Sequence, residues 1–390
     1  MNCRHTSIIV ALSILRSYRG SAHLREGTVA TTPMIPFPVD ALVTGGCGFI
    51  GRQVVRALRA RGQTVRVLDI AAPDDIGDVE NLRGSILDAA VVAKAMTGAR
   101  RVYHLAGIAH LWVPQRSDFD RVNAQGTAIV LQAAAECRVE RVIHCSTESI
   151  LLPARGTTLR LIDESKVLSE AEMPGPYTRS KYRAERAALA AADAGLNVVI
   201  VNPTLPIGPE DPNITPPTAM ILHFLYSNSP FFLDCVLNVA DVREIAAGIV
   251  LAAEYGRSGA RYILGGQNVP LRQLLAIMER ESGHAMPKYA VPAPIALSMA
   301  TLMEWSADHL TRTRPAATRE GVQLALRSAS FDTKKAEREL GYSAGPVDAI
   351  IGETLRWLAQ KQANILNNAD STGAYQTAAL RRVGKAKASA

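Results

Sequence analysis

The sequence predicts an α/β protein built on a doubly wound parallel sheet, with a smaller substrate-binding cap toward the C-terminus. Three observations predict it. Short apolar strands alternate with helices of ordinary length, a glycine-rich turn joins the first strand to the first helix, and the alternation breaks at a run of prolines after residue 203.

Residues 41–44 form the first apolar run and read as a strand. After the glycine turn, the amphipathic pattern over 49–61 predicts a helix, and the alternating β-branched residues of 65–69 predict a second strand. Later strands are expected at 102–106, 142–146 and 196–201, with helices over about 119–137 and 180–194 between them. Pro203, Pro206, Pro209, Pro212, Pro216 and Pro217 then impose a loop-rich stretch, and helices near 242–254 and 271–281 belong to the cap over the sheet's carboxyl edge. The expected division is an extension at 1–38, a nucleotide-binding domain at 39–202, a mixed substrate-binding region at 203–362 that returns to the sheet in part, and a disordered basic tail at 363–390.

At 390 residues, 48% hydrophobic and 20% charged, the chain has the composition of a globular protein with a full core. Its net charge of +7 sits mostly at the ends: residues 1–33 and 363–390 each carry four Arg or Lys against one acid. The middle is nearly neutral, so the charge reads as solvated tails and not as a nucleic-acid footprint. Cys3, Cys47, Cys137, Cys145 and Cys235 are odd in number and lack C-x-x-C spacing, which argues for a reducing, cytoplasmic setting and against a zinc site. The apolar run at 7–15 is far short of the roughly 20 residues that span a bilayer, and Arg16 and Arg19 stand where a secretory cleavage site would be. The expectation is an extension with Met34 as the effective start; a membrane-touching or targeting segment is the other reading of the run.

The strongest motif is Thr44-Gly45-Gly46-Cys47-Gly48-Phe49-Ile50-Gly51, placed between a strand and a helix. Gly45 allows the tight turn, Gly48 lets backbone approach a pyrophosphate, and Gly51 lets the helix pack close. The helix N-terminus offers unpaired N–H groups to the phosphates. Asp69 ends the second strand, 18 residues beyond Gly51. A carboxylate there accepts ribose hydroxyls of NAD and repels the 2′-phosphate of NADP, although Arg52 lies within reach of such a phosphate.

The second motif is Tyr177-Thr178-Arg179-Ser180-Lys181, which puts a phenol and an ammonium on one helix face. A phenol titrates near 10, so making it a base at neutral pH needs about 3 units, roughly 4 kcal/mol. Lys181 and a positively charged nicotinamide are the expected sources. Upstream, His144-Cys145-Ser146-Thr147-Glu148 ends a strand with hydroxyls, of which Thr147 or Ser146 would hold the reacting oxygen. His144 reads as a strand residue.

Together, Thr44–Gly51, His104-Leu-Ala-Gly107, Asn123-Ala-Gln-Gly-Thr127, Ser146-Thr147 and Tyr177…Lys181 resemble the ordered signature of the extended short-chain dehydrogenases, the NAD-dependent epimerase/dehydratase family, over roughly residues 40–360. The segments at 111–114, 201–209, 237–242, 261–266 and 335–342 resemble more closely the hopanoid-associated sugar epimerases, relatives of dihydroflavonol reductase. The resemblance implies a Rossmann domain, bound NAD (NADP being possible), and a homodimer through the helices at 119–137 and 180–194. It implies that Phe49, Ile50, Ser85, Ile86, Leu105, Ala106 and Pro203 join Gly45, Gly48, Gly51 and Asp69 around the cofactor. Thr147, Tyr177, Lys181 and Asn123 become the catalytic set, with Asn123 as an organiser of backbone or water. No metal is expected.

Two departures limit it. The family's Gly-Asp is Gly84-Ser85 here, so Ser85 does less for the adenine. Sugar-nucleotide dehydratases carry Thr-Asp-Glu where this chain has Thr147-Glu148-Ser149, which disfavours a dehydratase while leaving Glu148 one position away. The expected activity is hydride transfer at a carbinol or carbonyl carbon of a small molecule. A reductase is favoured slightly over a nucleotide-sugar epimerase with tightly held NAD. Leu222, Phe224, Leu225, Phe231 and Phe232 suggest an apolar substrate, and Arg243 is the one candidate diphosphate clamp at 203–243. A nucleotide-sensing regulator or a structural scaffold is the non-enzymatic reading.

Overall fold

A computed structural model describes residues 38–72, 76–154, 161–227, 229–327 and 329–372, with side chains described to Lys361. Its first half runs β1 (Val39–Thr44), α1 (Phe49–Ala60), β2 (Val65–Asp69), β3 (Glu80–Arg83), α2 (Ala89–Met96) and β4 (Ala99–His104). Next comes α3, a continuous helix in three parts: an opening turn at Ser117–Phe119, a π-helical stretch at Asp120–Gln125 and a regular stretch at Gly126–Glu136. β5 (Arg141–Cys145), α4 (Pro176–Asp193) and β6 (Val198–Pro203) complete that half.

Thereafter β7 (Leu205–Ile207), α5 (Pro216–Tyr226), β8 (Phe231–Phe232), β9 (Val236–Asp241), α6 (Val242–Tyr255), β10 (Arg261–Leu264) and β11 (Gln267–Pro270) follow. The last elements are α7 (Leu271–Ser282), β12 (Tyr289–Ala290), α8 (Ala293–Ser306), α9 (Arg319–Arg327), α10 (Lys334–Leu340) and α11 (Val347–Thr372).

Seven parallel strands form the main sheet in the order β10-β6-β5-β4-β1-β2-β3. The order reverses between β1 and β4, which opens a crevice at their carboxyl ends, where open α/β sheets bind ligands. Both faces are covered, so the inner strands β1, β5 and β6 are largely buried. On one face α1 and α6 bury Val54, Leu58, Ile245 and Ile249 against Val43, Val67 and Val201; on the other α2, α3 and α4 bury Val92, Met96, Val130 and Ala188 against Leu42, Val102 and Ile200. Each such side chain contributes roughly 1.5–3 kcal/mol by burial. Beyond β6 lie a three-stranded sheet, β11-β9-β7, and a two-stranded one, β12-β8.

The expected α/β class and doubly wound sheet are present, and β10 is the element of the later region that returns to it. β3 was not anticipated. Its residues Glu80-Asn-Leu-Arg carry no apolar pattern because it is an exposed edge strand, anchored by the ion pair of Glu80 with the buried Arg66, 2.8 Å. The helix that carries Tyr177 and Lys181 begins at Pro176 and not near 180, since proline's fixed φ suits the first helical position. The tail expected from 363 is helical to Thr372, because α11 continues the register whose Val347, Ile350, Ile351, Leu355 and Leu358 are buried. Residues 1–37 and 373–390, with the expectations about Met34 and the basic tail, lie outside the described residues. No helix among the described residues is long and apolar enough to cross a membrane.

Candidate active site

The glycine turn closes the crevice at the end of β1. Gly45 has φ +74, and a Cβ there would sit 2.6 Å from the Ala106 amide nitrogen, so the turn lies directly on the Leu105–Ala106 backbone that follows β4. A Cβ on Gly51 would lie 2.0 Å from the Gly45 carbonyl oxygen. Gly51 is therefore required by the turn itself, a closer constraint than the helix–strand packing expected of it. Gly48 is the N-cap of α1 and supplies no side chain, leaving the helix's first N–H groups, those around Phe49 and Ile50, for an anion. Asp69 takes the Cys47 N–H at 2.9 Å and the Ala71 N–H at 3.0 Å, which fixes its carboxylate beside the turn.

Beneath the turn runs a buried polar chain. His104 Nδ1 pairs with the Thr44 hydroxyl at 2.8 Å and Nε2 with the Thr127 hydroxyl at 2.9 Å, and that hydroxyl donates to the Asn123 carbonyl at 2.6 Å. Burial, reinforced by the charge of Lys181, pushes His104 down to about 3. His144, its ring 5.6 Å from that of His104, is also held well below the usual histidine range by burial, and neither of its nitrogens has a hydrogen-bond partner among the described residues. It is a strand residue of β5, as expected.

The side-chain chemistry gathers at the ends of β5 and β6. Tyr177 lies in the first turn of α4, buried and edge-on to Phe119 with ring centroids 6.2 Å apart. Its phenol is hydrogen-bonded with Thr147. Thr147 in turn donates to Glu148 at 2.9 Å and contacts the Ser149 hydroxyl at 3.2 Å. Lys181 donates to the Cys145 carbonyl at 2.7 Å, and burial lowers its pKa. Of the two candidate hydroxyls Thr147 is the one beside the phenol, while Ser146 is buried with no partner for its Oγ among the described residues.

The expectation that Lys181 draws the phenol's pKa down is not what the site does on its own. Burial first, then Glu148, with Glu320 and Cys145 behind it, push Tyr177 upward, and the Thr147 hydrogen bond opposes them. Glu148 is itself raised by burial, against its hydrogen bonds to Thr147 and Ser149.

Asn123 stands in the π-helical stretch of α3. Its Oδ1 accepts the Ile108 N–H at 2.7 Å and its Nδ2 donates to Ser180 at 2.9 Å, while the Ser180 hydroxyl donates to the Tyr177 carbonyl at 2.7 Å. Asn123 thus ties the loop after β4 to α4. Ser85 Oγ accepts the Leu87 N–H at 3.1 Å and so shapes the turn before α2. Ile86 is buried against Gly126 of α3. Pro203 ends β6 opposite Leu264.

Sequence reasoning missed two supports. Glu320 of α9 accepts the N–H groups of Tyr177 (3.2 Å) and Thr178 (2.8 Å) and the Thr178 hydroxyl (2.7 Å), capping α4 from outside. A Cβ on Gly175, the helix N-cap, would fall 2.2 Å from the same carboxylate, so the glycine makes room for it. Asn202 of β6 donates to the Thr147 carbonyl at 3.1 Å and to Glu185 at 2.8 Å, and Glu185 forms a buried ion pair with Arg261 at 2.7 Å. Neither had a local signal, since the partners are remote in sequence.

The apolar residues counted toward a substrate pocket take a different place. Phe224 and Phe232 are core residues and Leu222 and Leu225 pack against the same core, leaving Phe231 exposed. Arg243 is engaged by Asp241 and Glu353 at 2.5 and 2.6 Å. No His, Cys, Asp and Glu group among the described residues is placed to hold a metal.

With this arrangement in view, the chain's similarities decide its family. The model of the NAD dependent epimerase/dehydratase family matches residues 41–265, from β1 to just past β10. The chain belongs to that family. It is 34% identical over 323 residues to a putative dihydroflavonol 4-reductase of Synechocystis sp., covering 81% of this chain and 93% of that one. It is 29% identical to sterol demethylase protein B of Methylococcus capsulatus, over 83% and 99% of the two chains. Among solved structures, gox2253 is 33% identical and superposes with a TM-score of 0.72 over 83% of this chain and 98% of its own. This epimerase/dehydratase-family protein is therefore an NAD-dependent enzyme of oxidoreductase type. The residues fit the cofactor: Gly45 and Gly51 let the turn lie close on backbone, Asp69 is fixed beside it, and the buried Ser146 hydroxyl is without a partner among the described residues.

Proposed function

We propose that the protein is an NAD(P)H-dependent reductase of an apolar carbonyl compound, or the dehydrogenase running the same reaction backwards. The observation that carries this reading is the phenol of Tyr177, buried against Phe119 and Thr147 and kept protonated by burial and by Glu148. A protonated phenol is a donor, and carbonyl reduction needs a proton delivered to the oxygen as charge develops there.

When bound, the reduced nicotinamide supplies a hydride to the carbonyl carbon. Tyr177 gives its proton to the oxygen, which Thr147 holds by a hydrogen bond. Lys181 binds the nicotinamide ribose and stabilises the phenolate left behind. Gly45, Gly48, Phe49, Ile50 and Gly51 receive the pyrophosphate, Asp69 the adenosine ribose, and Ile86, Leu105, Ala106 and Pro203 line the nucleotide, with Ser85 shaping the adenine side. Asn123 positions the Ile108 loop. The reading extends to a homodimer through α3 and α4, and to a division near 202 between nucleotide-binding and substrate-binding regions.

The printed names of the relatives, a dihydroflavonol reductase and a sterol-modifying protein, support an apolar substrate. The engagement of Arg243 by two acids counts against a sugar-diphosphate clamp. A second reading, a nucleotide-sugar epimerase with tightly held NAD, is favoured by Asp69 at the end of β2. A dehydratase is disfavoured, since Ser149 stands where its proton-abstracting Glu would be, with Glu148 one position away.

The test is to measure nicotinamide nucleotide released on denaturing the purified protein, then to offer NADH and NADPH with a panel of apolar ketones and with nucleotide sugars. Consumption of reduced nucleotide in proportion to alcohol formed is the expected result. Tightly held NAD, inversion of a sugar and no net consumption would overturn the reductase reading.

A further inference from the structure

α8 is turned inside out. The stripe it presents to the rest of the protein is Ala300, Glu304 and Ala307, while Ile295, Met299 and Leu302, at i, i+4 and i+7, share the opposite face. Those three, with Trp305 and Leu310, are each at least half exposed. The buried acid is not left alone: Arg116 pairs with Glu304 and Asp308 at 2.5 and 2.8 Å, and Trp112 donates to Asp308 at 2.8 Å. The acids of this segment thus serve the loop before α3, while Ser298 and Thr301 share the outer surface with its large apolar side chains.

The charge around this face has one sign. Between residues 282 and 319 the only acids are Glu304 and Asp308, both engaged by Arg116, whereas Lys288, Arg312, Arg314 and Arg319 are all exposed. Arg319 shares a shallow hollow of about 650 Å³ with Leu302 and Trp305, and Arg312 caps the end of the helical run. An exposed apolar helix face with an indole at its end and Arg312 and Arg319 near it has the chemistry of a helix lying in a membrane interface, where apolar side chains enter the acyl boundary and cations meet anionic headgroups.

We propose that α8 docks this enzyme on an anionic lipid surface, with Ile295, Met299, Leu302 and Trp305 entering the interface and Arg312 and Arg319 meeting lipid phosphates. The same segment reaches the candidate active site through Arg116 and Trp112 on the loop before α3 and through α9, which carries Glu320. The inference stands on the surface of α8 and not on the reductase reading.

The experiment is cosedimentation of the full chain with vesicles of phosphatidylcholine alone and of phosphatidylcholine with phosphatidylglycerol, for the wild type and for a Met299→Ser, Leu302→Ser double variant. Neither residue touches the catalytic set, and the melting temperature of the variant serves as its folding control. Binding to the anionic vesicles, several-fold weaker at 0.5 M salt, and a tenfold or greater loss in the folded variant are expected. No binding of the wild type, or equal binding by the folded variant, would overturn the proposal. So would a wild-type dimer that the variant splits into monomers, since the face would then join two copies of the chain. If the double variant melts early, Trp305→Ser is the replacement and is read by the same criteria.

Discussion

The nucleotide turn and the proton-transfer site share one edge of one sheet, yet they are built in different ways. The turn is backbone lying on backbone: Gly45 against Ala106, Gly51 against the Gly45 carbonyl, all within the first 106 residues. The proton-transfer site is held by side chains that arrive from far along the chain, Glu320 onto Tyr177 and Thr178 and the Arg261–Glu185–Asn202 series onto Thr147. The first kind of site is written in a motif. The second depends on the later region being correctly docked, so its failure modes differ.

The two halves should come apart under substitution. Tyr177→Phe is expected to lower turnover at least a hundredfold while leaving the Kd for NAD within a fewfold of wild type. Gly51→Ala should do the converse, weakening nucleotide binding until it limits every other measurement, because its Cβ would meet the Gly45 carbonyl at 2.0 Å. A Tyr177→Phe protein with near-normal turnover would remove the assignment of the proton donor; normal nucleotide binding by Gly51→Ala would remove the reading of the turn.

Glu320 sharpens the comparison from the other side. Its loss strands the first N–H groups of the catalytic helix, so Glu320→Ala should cost about 1–3 kcal/mol of stability and lower kcat with little change in NAD affinity. Glu320→Gln, which keeps an acceptor, should recover part of both. Equal losses in kcat and in NAD affinity would show that the two sites are not separately supported.

Asp69 tests the turn's selectivity. Asp69→Ser should shift the ratio of NADPH to NADH use by about tenfold, roughly 1.4 kcal/mol. An unchanged ratio would put nucleotide choice elsewhere, with Arg52 the next residue to vary.

The smallest effect is a slope. His104 and His144 stay neutral in the fold, with pKa values depressed below their unfolded value near 6.5. As pH falls through 6.5 the unfolded chain takes up protons that the fold refuses, so their contribution to stability is lost on acidification. For His104 the loss continues down to about 3. Each group contributes about 1.4 kcal/mol per pH unit in its window. Denaturant titrations of wild type and His144→Leu between pH 7 and 5 should diverge by about that slope; parallel curves would mean that His144 is not held neutral.

Much of the nucleotide half was legible because its requirements are local. Gly45, Gly48 and Gly51 between an apolar strand and an amphipathic helix name their own geometry, and the strands at 65–69 and 142–146 carry the buried Val65, Val67, Leu68, Val142 and Ile143. β3 was illegible because an exposed edge strand needs no apolar pattern. The C-terminal helix was underestimated because the Ala, Asn and Ser of 363–372 hide a register set by the buried residues before them. The apolar residues at 222–232 misled for a physical reason: a sequence does not say whether a phenylalanine faces a core or a cavity, and Phe224 and Phe232 face a core. Glu320 could not be found at all, since nothing in Arg319-Glu320-Gly321 points to a helix 143 residues earlier.

That external cap carries a consequence for how the molecule comes to life. Thr178 finds its carboxylate only after the ribosome has made some 142 further residues. The glycine turn and the strands that frame it emerge well before then, so a nascent chain can assemble its nucleotide cradle while the first turn of α4 still lacks its partner. Competence to react is thus completed last, once α9 has been made and docked.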